Sequence, residues 1–536
     1  MSRREGALLR WGERALCFVS GAAAGFAHPP YGVLPALLGF ALALWLLERR
    51  DTARPLRSGF LRGWLIGAGY LAVCTSWIGE PFFIDPSRIW QAPFAMALTP
   101  GLIGLLWGAA GWMYAVVAPR GPWARVLTFA SFFAAWEWLR GHMLTGFPWD
   151  LPGEAWRAGS APSQAAAFVG AYGLGWITLA IAAAPATLAW RARPMARFGP
   201  PVLAAAAVAA LYVGGAARLA AHPAATATGP SVRIVQPDLP EPPTVDDALV
   251  EATLRRYIAL SRAPGPTPQV VIWPEGAIPS AFNSYLADDS PMRAELEAAL
   301  APNQLLLLGG YRVEPDPAGW RYFNTLLALV RGPAGLARVA TYDKHHLVPF
   351  GEYLPLSPVL TPLGLSQVVS VGQGFTAGPK PRPVTLPLAE PWARVQPLIC
   401  YEALFPSLAE DAARAGWIVN ISDDAWFGRH QGPWQHLNLA SYRAIEEGLP
   451  MVRATPTGVS AVIDALGRTV RAPDGALQRL APSRAGVIDA RLPAPLAPTP
   501  FTRWRDVPFW VMVTLGLAVG AASRMRGASA WRDGAG

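Results

Sequence analysis

Long runs of apolar residues without a charge dominate the first part of the chain and recur once near its end. They cover residues 15–47, 63–79, 89–119, 158–190, 198–217 and 507–523. A helix needs about 20 residues to cross the hydrocarbon core of a bilayer, so each run is long enough, or nearly so, to span a membrane. The pattern therefore predicts a multi-pass α-helical membrane bundle.

Two interruptions refine the number of spans. The run at 15–47 is too long for one helix, and His28, Pro29 and Pro30 break it, which predicts a hairpin of two short helices. Residues 126–139 add a weaker span that contains Glu137, and an ionisable residue inside a span usually faces the bundle interior. The sequence thus predicts eight spans: seven in a membrane domain at 1–218, and one in a C-terminal segment at 507–536 that ends in a cytoplasmic tail.

The arginines orient this bundle, because positively charged loops stay in the cytoplasm. Seventeen arginines lie on one side of the alternating spans and three lie in the short loops of the other side. The seventeen are Arg3, Arg4, Arg10, Arg14, Arg49, Arg50, Arg54, Arg57, Arg62, Arg120, Arg125, Arg191, Arg193, Arg197, Arg524, Arg526 and Arg532, and the three are Arg88, Arg140 and Arg157. Residues 219–506, after the seventh span, are therefore predicted to form one large domain on the outer side.

Composition supports this division and excludes other classes. Only 15% of the residues are charged, against about 25% in an average soluble domain. The formal net charge of +9 follows from the arginines beside the spans, so it does not indicate a nucleic-acid partner. Of three cysteines, Cys17 and Cys74 lie in apolar runs and Cys400 lies in the polar domain, so no disulfide framework is expected. An unpaired thiol in an oxidising compartment is a liability unless the protein uses it, so Cys400 is predicted to have a function.

Short β-rich runs alternate with helical patterns in the outer domain. The runs are 231–236, 269–273, 304–311, 322–330, 338–342, 395–400 and 417–422, and the helical patterns are 246–262, 291–301, 405–415 and 435–448. Alternation of this kind is typical of a layered α/β domain with buried strands. Functional side chains in such domains emerge where strands end.

Three predicted strand ends carry reactive residues: Glu275, Lys344 and Cys400. Each by itself is ordinary at the end of a strand, and the three together favour a site. Lys344 is the most informative, because the chain has 43 arginines and only two lysines, the other being Lys380. A lysine supplies a compact ammonium suited to a small developing anion, whereas an arginine supplies a wide planar fork.

At these residues the chain resembles the nitrilase superfamily, whose members use a Glu, Lys and Cys triad in that order. More specifically, it is similar to the apolipoprotein N-acyltransferase family. The similarity lies in Trp273-Pro274-Glu275, Asp343-Lys344, Val348 to Tyr353, Cys400-Tyr401-Glu402, Asp424 to Gly428 and Gly432 to His436. It extends to Glu137 to Gly141 and Leu144 to Trp149 in the membrane half, which soluble nitrilases lack.

The resemblance implies an αββα sandwich and a covalent mechanism without a metal or cofactor. Cys400 would be the nucleophile, Glu275 the general base, and Lys344 a donor to the oxyanion. The resemblance also suggests supporting or substrate-binding roles for a second set of residues. This set comprises the backbone N–H of Tyr401, the carboxylates of Glu352 and Glu402, the amide of Asn324, and the aromatic rings of Phe350 and Trp426.

The implied acyl donor is a glycerophospholipid similar to phosphatidylethanolamine, and the implied acceptor is the N-terminal amine of a diacylglyceryl-cysteine apolipoprotein. The protein would act as a monomer in the bacterial inner membrane, with its catalytic domain in the periplasm. Residues 353–379 carry no charge, but their prolines, glycines and serines argue against a spanning helix. We interpret them as a mobile interfacial arm over the lipid entrance or as a loop folded against the domain. Two alternatives stay open: a membrane-tethered amidase that uses water as acceptor, and a scaffold that kept the fold without the activity.

Two departures from the family pattern concern the site. Asp423 stands where the family commonly has Asn, and the segment after Gln236 lacks the usual Trp. The second departure affects one wall of the expected substrate pocket.

Overall fold

The computed structural model describes residues 3–223, 227–242, 244–317, 319–363, 374–406 and 414–532. The chain forms two compact units, one with Met1–Phe83, Ser87–Ala221 and Thr499–Gly536, and one with Ile84–Pro86 and His222–Pro498. The helices in chain order are α1 (Arg3–Gly25), α2 (Gly39–Glu48), α3 (Pro55–Cys74), α4 (Ala92–Val117), α5 (Pro122–His142), α6 (Ala166–Ala183), α7 (Pro194–Ala221), α8 (Asp247–Ser261), α9 (Phe282–Tyr285), α10 (Pro291–Ala299), α11 (Ser357–Leu360), α12 (Gly432–Glu447), α13 (Pro500–Trp504) and α14 (Val507–Arg532).

The first unit is helical, and each predicted span lies on one of its helices. Among the described residues, four helical stretches are long and apolar enough to cross a membrane: Pro86–Val117, Pro162–Ala189, Pro194–Ala221 and Val507–Met525. Helix α2 belongs to a shorter apolar stretch, Leu34–Glu48. Helices α1, α3 and α5 carry ionisable residues, so the eight-span arrangement remains a prediction. The break predicted at His28 is present, because α1 ends at Gly25 and α2 begins at Gly39.

Close packing of glycines joins α3 to α4. A Cβ atom added at Gly63 would lie 2.2 Å from the carbonyl oxygen of Trp107, and one added at Gly111 would lie 2.4 Å from that of Gly59. Helix backbones in membranes associate through such small residues, because lipid tails remove the hydrophobic drive that operates in water.

Glu137, the ionisable residue inside the weak span, is buried as predicted, whereas the prediction for its partner Arg140 was wrong. Glu137 is 3% exposed and accepts hydrogen bonds from Trp107 Nε1 at 2.7 Å and Arg140 Nε at 2.9 Å. The arginine pattern predicts Arg140 in an outer loop, but the residue lies in the last turn of α5 and is also 3% exposed. Pairing with Glu137 stabilises both charges in the interior.

The described part of the second unit contains two six-stranded sheets, in the orders β12-β1-β2-β3-β4-β5 and β11-β10-β9-β8-β7-β6. The strands are β1 (Ser231–Gln236), β2 (Val270–Ile272), β3 (Leu305–Asp316), β4 (Gly319–Gly332), β5 (Gly335–Asp343), β6 (Val384–Thr385), β7 (Arg394–Ile399), β8 (Trp417–Ile421), β9 (Met451–Ala454), β10 (Ser460–Ile463), β11 (Arg479–Leu480) and β12 (Gly486–Arg491). Strands β1, β2 and β3 are parallel neighbours, as are β7, β8 and β9.

The two sheets pack face to face, and helices cover their outer faces. The central core joins Ile234 and Ile272 of one sheet to Ile399 and Val419 of the other. Helix α8 buries Leu254 and Tyr257 in a second cluster on the outside of the first sheet, and α12 buries Ala440 and Ala444 in a third cluster on the outside of the second sheet. This is the predicted αββα sandwich.

The sequence pattern found the strands of the first sheet better than those of the second. It missed β6, β9, β10, β11 and β12, which are short or include a charged residue such as Arg453 in β9. The predicted helix at 405–415 and the predicted arm at 353–379 lie partly outside the described residues.

Strand direction explains how distant residues meet. Strands β2 and β3 are parallel, β4 reverses the direction, and β5 restores it. The residues that follow β2 and β5 therefore emerge at the same edge of the first sheet. Glu275 and Lys344 are these residues.

Candidate active site

Glu275, Lys344 and Glu352 form one buried cluster of charges. Lys344 Nζ donates hydrogen bonds to Glu275 Oε1 at 3.1 Å and to Glu352 Oε1 at 2.9 Å. Lys344 is 1% exposed, and the two glutamates are 8% and 5% exposed. Because little water reaches these groups, their charges interact more strongly than they would at the protein surface.

The two carboxylates keep the Lys344 amine protonated. Burial by itself would lower its pKa, but Glu275, Glu352 and Cys400 raise the pKa well above its ordinary value. A fixed ammonium at this place can stabilise an anion that develops on a bound substrate.

Asn324 links both carboxylates from the neighbouring strand β4. Its Nδ2 donates to Glu275 Oε1 at 2.7 Å and to Glu352 Oε1 at 2.8 Å, and the backbone N–H of Lys344 donates to its carbonyl oxygen at 2.8 Å. Glu352 Oε2 accepts a further bond from the backbone N–H of Val348 at 2.8 Å. Each carboxylate is thus held in one orientation by side-chain and backbone donors.

Cys400 follows β7 and begins a short 3-10 helix, Cys400–Leu404. Its backbone has φ +48°, the left-handed region that residues other than glycine rarely adopt, and its side chain is buried. Burial raises the pKa of the thiol well above its ordinary value; Glu275 raises it further, whereas Lys344 opposes the change. The resting thiol is therefore protonated, and a base would have to accept its proton before the sulfur could act as a nucleophile.

Glu402 connects the segment that carries Cys400 to the segment that carries Lys344. This fully buried carboxylate accepts hydrogen bonds from the backbone N–H groups of Ile399 and His345, both at 2.8 Å. The hydroxyl of Tyr342 donates to both of its oxygens, at 2.9 and 3.0 Å. Burial raises the pKa of Glu402, although these donors oppose the change. Its contacts are those of a group that positions the two segments.

The other predicted residues occupy different environments. Tyr401 is buried, and its ring contacts that of Phe405 edge to face, with 5.1 Å between the ring centroids. Phe350 is 53% exposed and has φ +61°. Trp426 is half-buried in the 3-10 helix Asp424–Phe427. The rings of Phe350 and Trp426 are thus only partly buried, and each leaves part of its apolar surface accessible.

Sequence reasoning missed two backbone contacts that hold Glu275. The backbone N–H of Asp423 donates to Glu275 Oε2 at 2.7 Å. Gly309 of β3 packs against the same residue, since a Cβ atom there would lie 2.6 Å from Glu275 Cα. The Gly309-Gly310 pair inside an otherwise apolar strand was the available signal, because glycine in a strand marks a close approach of backbones.

The departure at Asp423 leaves its contact with Glu275 intact, because that contact uses the backbone. The side chain accepts a hydrogen bond from the backbone N–H of Ala425 at 3.1 Å, which an Asn oxygen would also do. Burial raises the pKa of Asp423 well above its ordinary value, and the neighbouring carboxyl of Glu241 raises it further. The Asp423 side chain therefore favours its neutral form, which resembles Asn in charge.

Comparison with known proteins agrees with both units of the chain. Residues 232–480 match the family model described as carbon-nitrogen hydrolase, and residues 20–184 match the one described as apolipoprotein N-acyltransferase N-terminal domain. The apolipoprotein N-acyltransferase of Caulobacter vibrioides is 48% identical over 518 residues, which cover 96% of this chain and 95% of the relative. Those of Rhodopseudomonas palustris and Bradyrhizobium diazoefficiens are each 36% identical, over 95% and 97% of this chain and 95% and 96% of the relatives. The chain therefore belongs to the apolipoprotein N-acyltransferase family, and it is an integral membrane protein with a nitrilase-like domain.

Proposed function

We propose that this protein transfers an acyl chain from a glycerophospholipid to the N-terminal amine of a diacylglyceryl-cysteine apolipoprotein, through a thioester on Cys400. One observation carries the proposal. A protonated, buried thiol lies in the electrostatic field of a carboxylate and of an ammonium that are hydrogen-bonded to each other. This combination provides a nucleophile, a base and an anion-stabilising group in one place.

In the first half of the reaction, Glu275 accepts the thiol proton while the sulfur attacks the ester carbonyl of the phospholipid. The negative charge passes to the carbonyl oxygen, where Lys344 and the backbone N–H of Tyr401 stabilise it. The carbon–oxygen bond of the ester then breaks, and Glu275 returns the proton to the departing alcohol oxygen. The products are an acyl thioester on Cys400 and a lysophospholipid.

In the second half, the amine of the apolipoprotein attacks the thioester carbonyl. Glu275 accepts a proton from the amine, the same donors stabilise the second oxyanion, and the carbon–sulfur bond breaks. The proton returns to the sulfur of Cys400, which restores the enzyme. One ester bond is lost and one amide bond is formed, so the reaction requires no metal, oxidant or other cofactor.

The other proposed roles follow from the contacts of each residue. Glu352 and Asn324 hold Lys344 and Glu275 in register, and Glu402 holds the backbone segments on either side of the site. Phe350 and Trp426 offer apolar surface to an acyl chain, since both are aromatic and only partly buried. These roles extend the triad without changing the chemistry.

We further propose that the protein acts as a monomer in the bacterial inner membrane, with eight spans and with residues 219–506 in the periplasm. The arginine distribution supports this orientation. A reporter that is active only outside the cytoplasm should work when fused after residue 225 and fail when fused after residue 195. The reverse result would place the nitrilase-like domain in the cytoplasm and refute the orientation.

Mass spectrometry of the purified protein tests the catalytic mechanism. After incubation with a phospholipid labelled in one acyl chain, the peptide that contains Cys400 should gain the mass of that chain. Addition of a diacylglyceryl-cysteine peptide should remove the label from Cys400 and place it on the peptide amine. Release of labelled free fatty acid in place of the amide would identify an amidase-type hydrolase, and an unlabelled Cys400 would exclude the thioester.

A further inference from the structure

A chain of buried polar side chains lies behind Cys400 and takes no part in the proposed reaction. It consists of Ser422 and Asp424, which follow β8, His436 in α12 and Arg453 in β9. All four residues are fully buried. Such a set is costly to bury unless its members pair with one another, so their contacts identify what they hold.

Asp424 is the centre of this chain. Its Oδ2 accepts from Arg453 Nη2 at 2.5 Å, and its Oδ1 accepts from Ser422 Oγ at 2.6 Å. Its Oδ1 also lies 2.9 Å from Nδ1 of the His436 ring. Although burial alone would raise the pKa of Asp424, Arg453 and His436 lower it to about 2, so the group is a carboxylate and accepts every one of these bonds.

The second nitrogen of the His436 ring reaches the nucleophile's main chain. Nε2 lies 3.2 Å from the carbonyl oxygen of Cys400. Because Asp424 and this carbonyl are both acceptors, a doubly protonated ring donates to both, whereas a neutral ring donates to one. Burial and Arg453 lower the pKa of His436, and Asp424 and the Cys400 carbonyl oppose that change. The contact with the Cys400 carbonyl is therefore strongest at acidic pH.

The geometry of the peptide bond carries this contact into the site. The bond between Cys400 and Tyr401 is not among the cis bonds of the described chain. In a trans peptide the C=O and the next N–H point in opposite directions. A carbonyl of Cys400 that is held toward His436 therefore directs the N–H of Tyr401 away from the buried side. The strained φ of Cys400 makes such a restraint necessary, because a residue held in the left-handed region relaxes when the surrounding structure does not hold it.

We propose that His436, anchored by Asp424 and Arg453, is a positioning residue that orients the Cys400–Tyr401 peptide and so aims the Tyr401 N–H at the oxyanion. The inference rests on the proposed thioester mechanism and adds a residue to it. His436 acts through the backbone and touches neither the acyl group nor the amine.

Two substitutions of similar size separate the two contacts of the ring. In His436→Gln the amide nitrogen reaches about as far as Nε2, so it retains a donor to the Cys400 carbonyl. In His436→Asn the amide reaches only about as far as Nδ1, so it retains the contact with Asp424 and loses the one with Cys400. Both keep a polar group in the buried position, which makes them a matched pair.

Two reactions of Cys400 distinguish positioning of the peptide from general damage. Acylation by a labelled phospholipid in a single turnover passes through an oxyanion, whereas alkylation by iodoacetamide does not. Both are followed by mass spectrometry on wild type and variants in mildly acidic buffer. A thermal unfolding curve of each detergent-purified protein reports on folding.

For His436→Asn we expect acylation to fall about 100-fold, the usual loss when an oxyanion donor is removed, while alkylation changes little. His436→Gln should recover most of that loss. The ratio of the wild-type to the His436→Asn acylation rate should fall as the pH rises, because the ring loses its second proton. Equal acylation by His436→Asn and wild type, a parallel loss of acylation and alkylation, or a ratio that does not fall with pH would each overturn the proposal. Failure of the proposed function itself is recognised separately, as the absence of a thioester in the wild-type protein.

Discussion

Replacement of Lys344 by Arg tests whether the compact ammonium or only the positive charge is required. Lys344 is 1% exposed, and its Nζ lies 3.1 Å and 2.9 Å from two carboxylate oxygens. An arginine adds two heavy atoms at this buried position, and such overpacking of an interior costs about 1 to 3 kcal/mol. Its planar fork would also bind the carboxylates of Glu275 and Glu352 side by side, which pulls Glu275 away from the thiol.

The expected loss of rate follows from these two effects. A displacement of about 1 Å in a catalytic group costs roughly 100-fold in rate. The loss of one oxyanion donor costs a further factor of the same order when the guanidinium cannot occupy the ammonium position. We therefore expect Lys344→Arg to reduce single-turnover acylation of Cys400 by at least about 100-fold, while the protein still folds and inserts because the buried charge remains paired.

The chain offers a matched control in its only other lysine. Lys380 is exposed, so Lys380→Arg makes the same chemical change away from the cluster and should acylate at the wild-type rate. Acylation is measured by mass spectrometry of the peptide that contains Cys400, and membrane levels are compared by immunoblot. If Lys344→Arg acylates as fast as Lys380→Arg, Lys344 serves only as a structural ion-pair partner and its role at the oxyanion is refuted.

Three further substitutions test other parts of the site. Cys400→Ala should abolish transfer of labelled acyl chains, whereas Cys74→Ala, which removes a buried thiol in α3, should leave transfer intact. Transfer by the Cys400→Ala variant would refute the thioester mechanism. Glu275→Gln should block thioester formation, because an amide cannot accept the thiol proton, and normal thioester levels on mass spectra would show that another base acts. In Gly309→Ala the new Cβ would lie 2.3 Å from the backbone oxygen of Pro274, so the neighbouring Glu275 must shift. We expect the acylation rate to fall more than 10-fold, because an increase of about 1.4 kcal/mol in the activation free energy already has that effect. Its control, Gly332→Ala, has 3.7 Å to its nearest neighbour and should behave like wild type in the same assay; equal rates for the two variants would contradict the packing argument.

The predicted triad was accessible from the sequence because Glu275 and Cys400 follow buried apolar strands, whereas Lys344 follows β5, most of whose residues are not buried. Buried strands leave a strong pattern of apolar residues, and the residue after such a strand is one of the few polar positions that the interior tolerates. The scarcity of lysine then singled out Lys344 from the arginines. The family motifs were then sufficient to assign Glu275, Lys344 and Cys400, in this order, to the expected triad.

Contacts made by the backbone left no such pattern. The N–H of Asp423 and the glycine at position 309 hold Glu275, yet a backbone N–H is the same in every residue other than proline, so its use cannot be inferred from the side chain. The charged residue inside β9 had the opposite effect. Arg453 obscured a buried strand, and only the packed structure shows that the guanidinium is neutralised by Asp424.

The sequence by itself indicated the helical membrane unit, the α/β class of the second unit and the candidate triad, because burial in lipid or in a sheet imposes local composition. The tertiary structure alone decided how those residues meet. It brought Asn324 between two carboxylates, moved Arg140 from a predicted loop into a buried pair with Glu137, and connected His436 to the carbonyl of Cys400. Most of these contacts join residues that are far apart along the chain. Their energies depend on the distance between the groups and on the exclusion of water, which the order of residues does not specify.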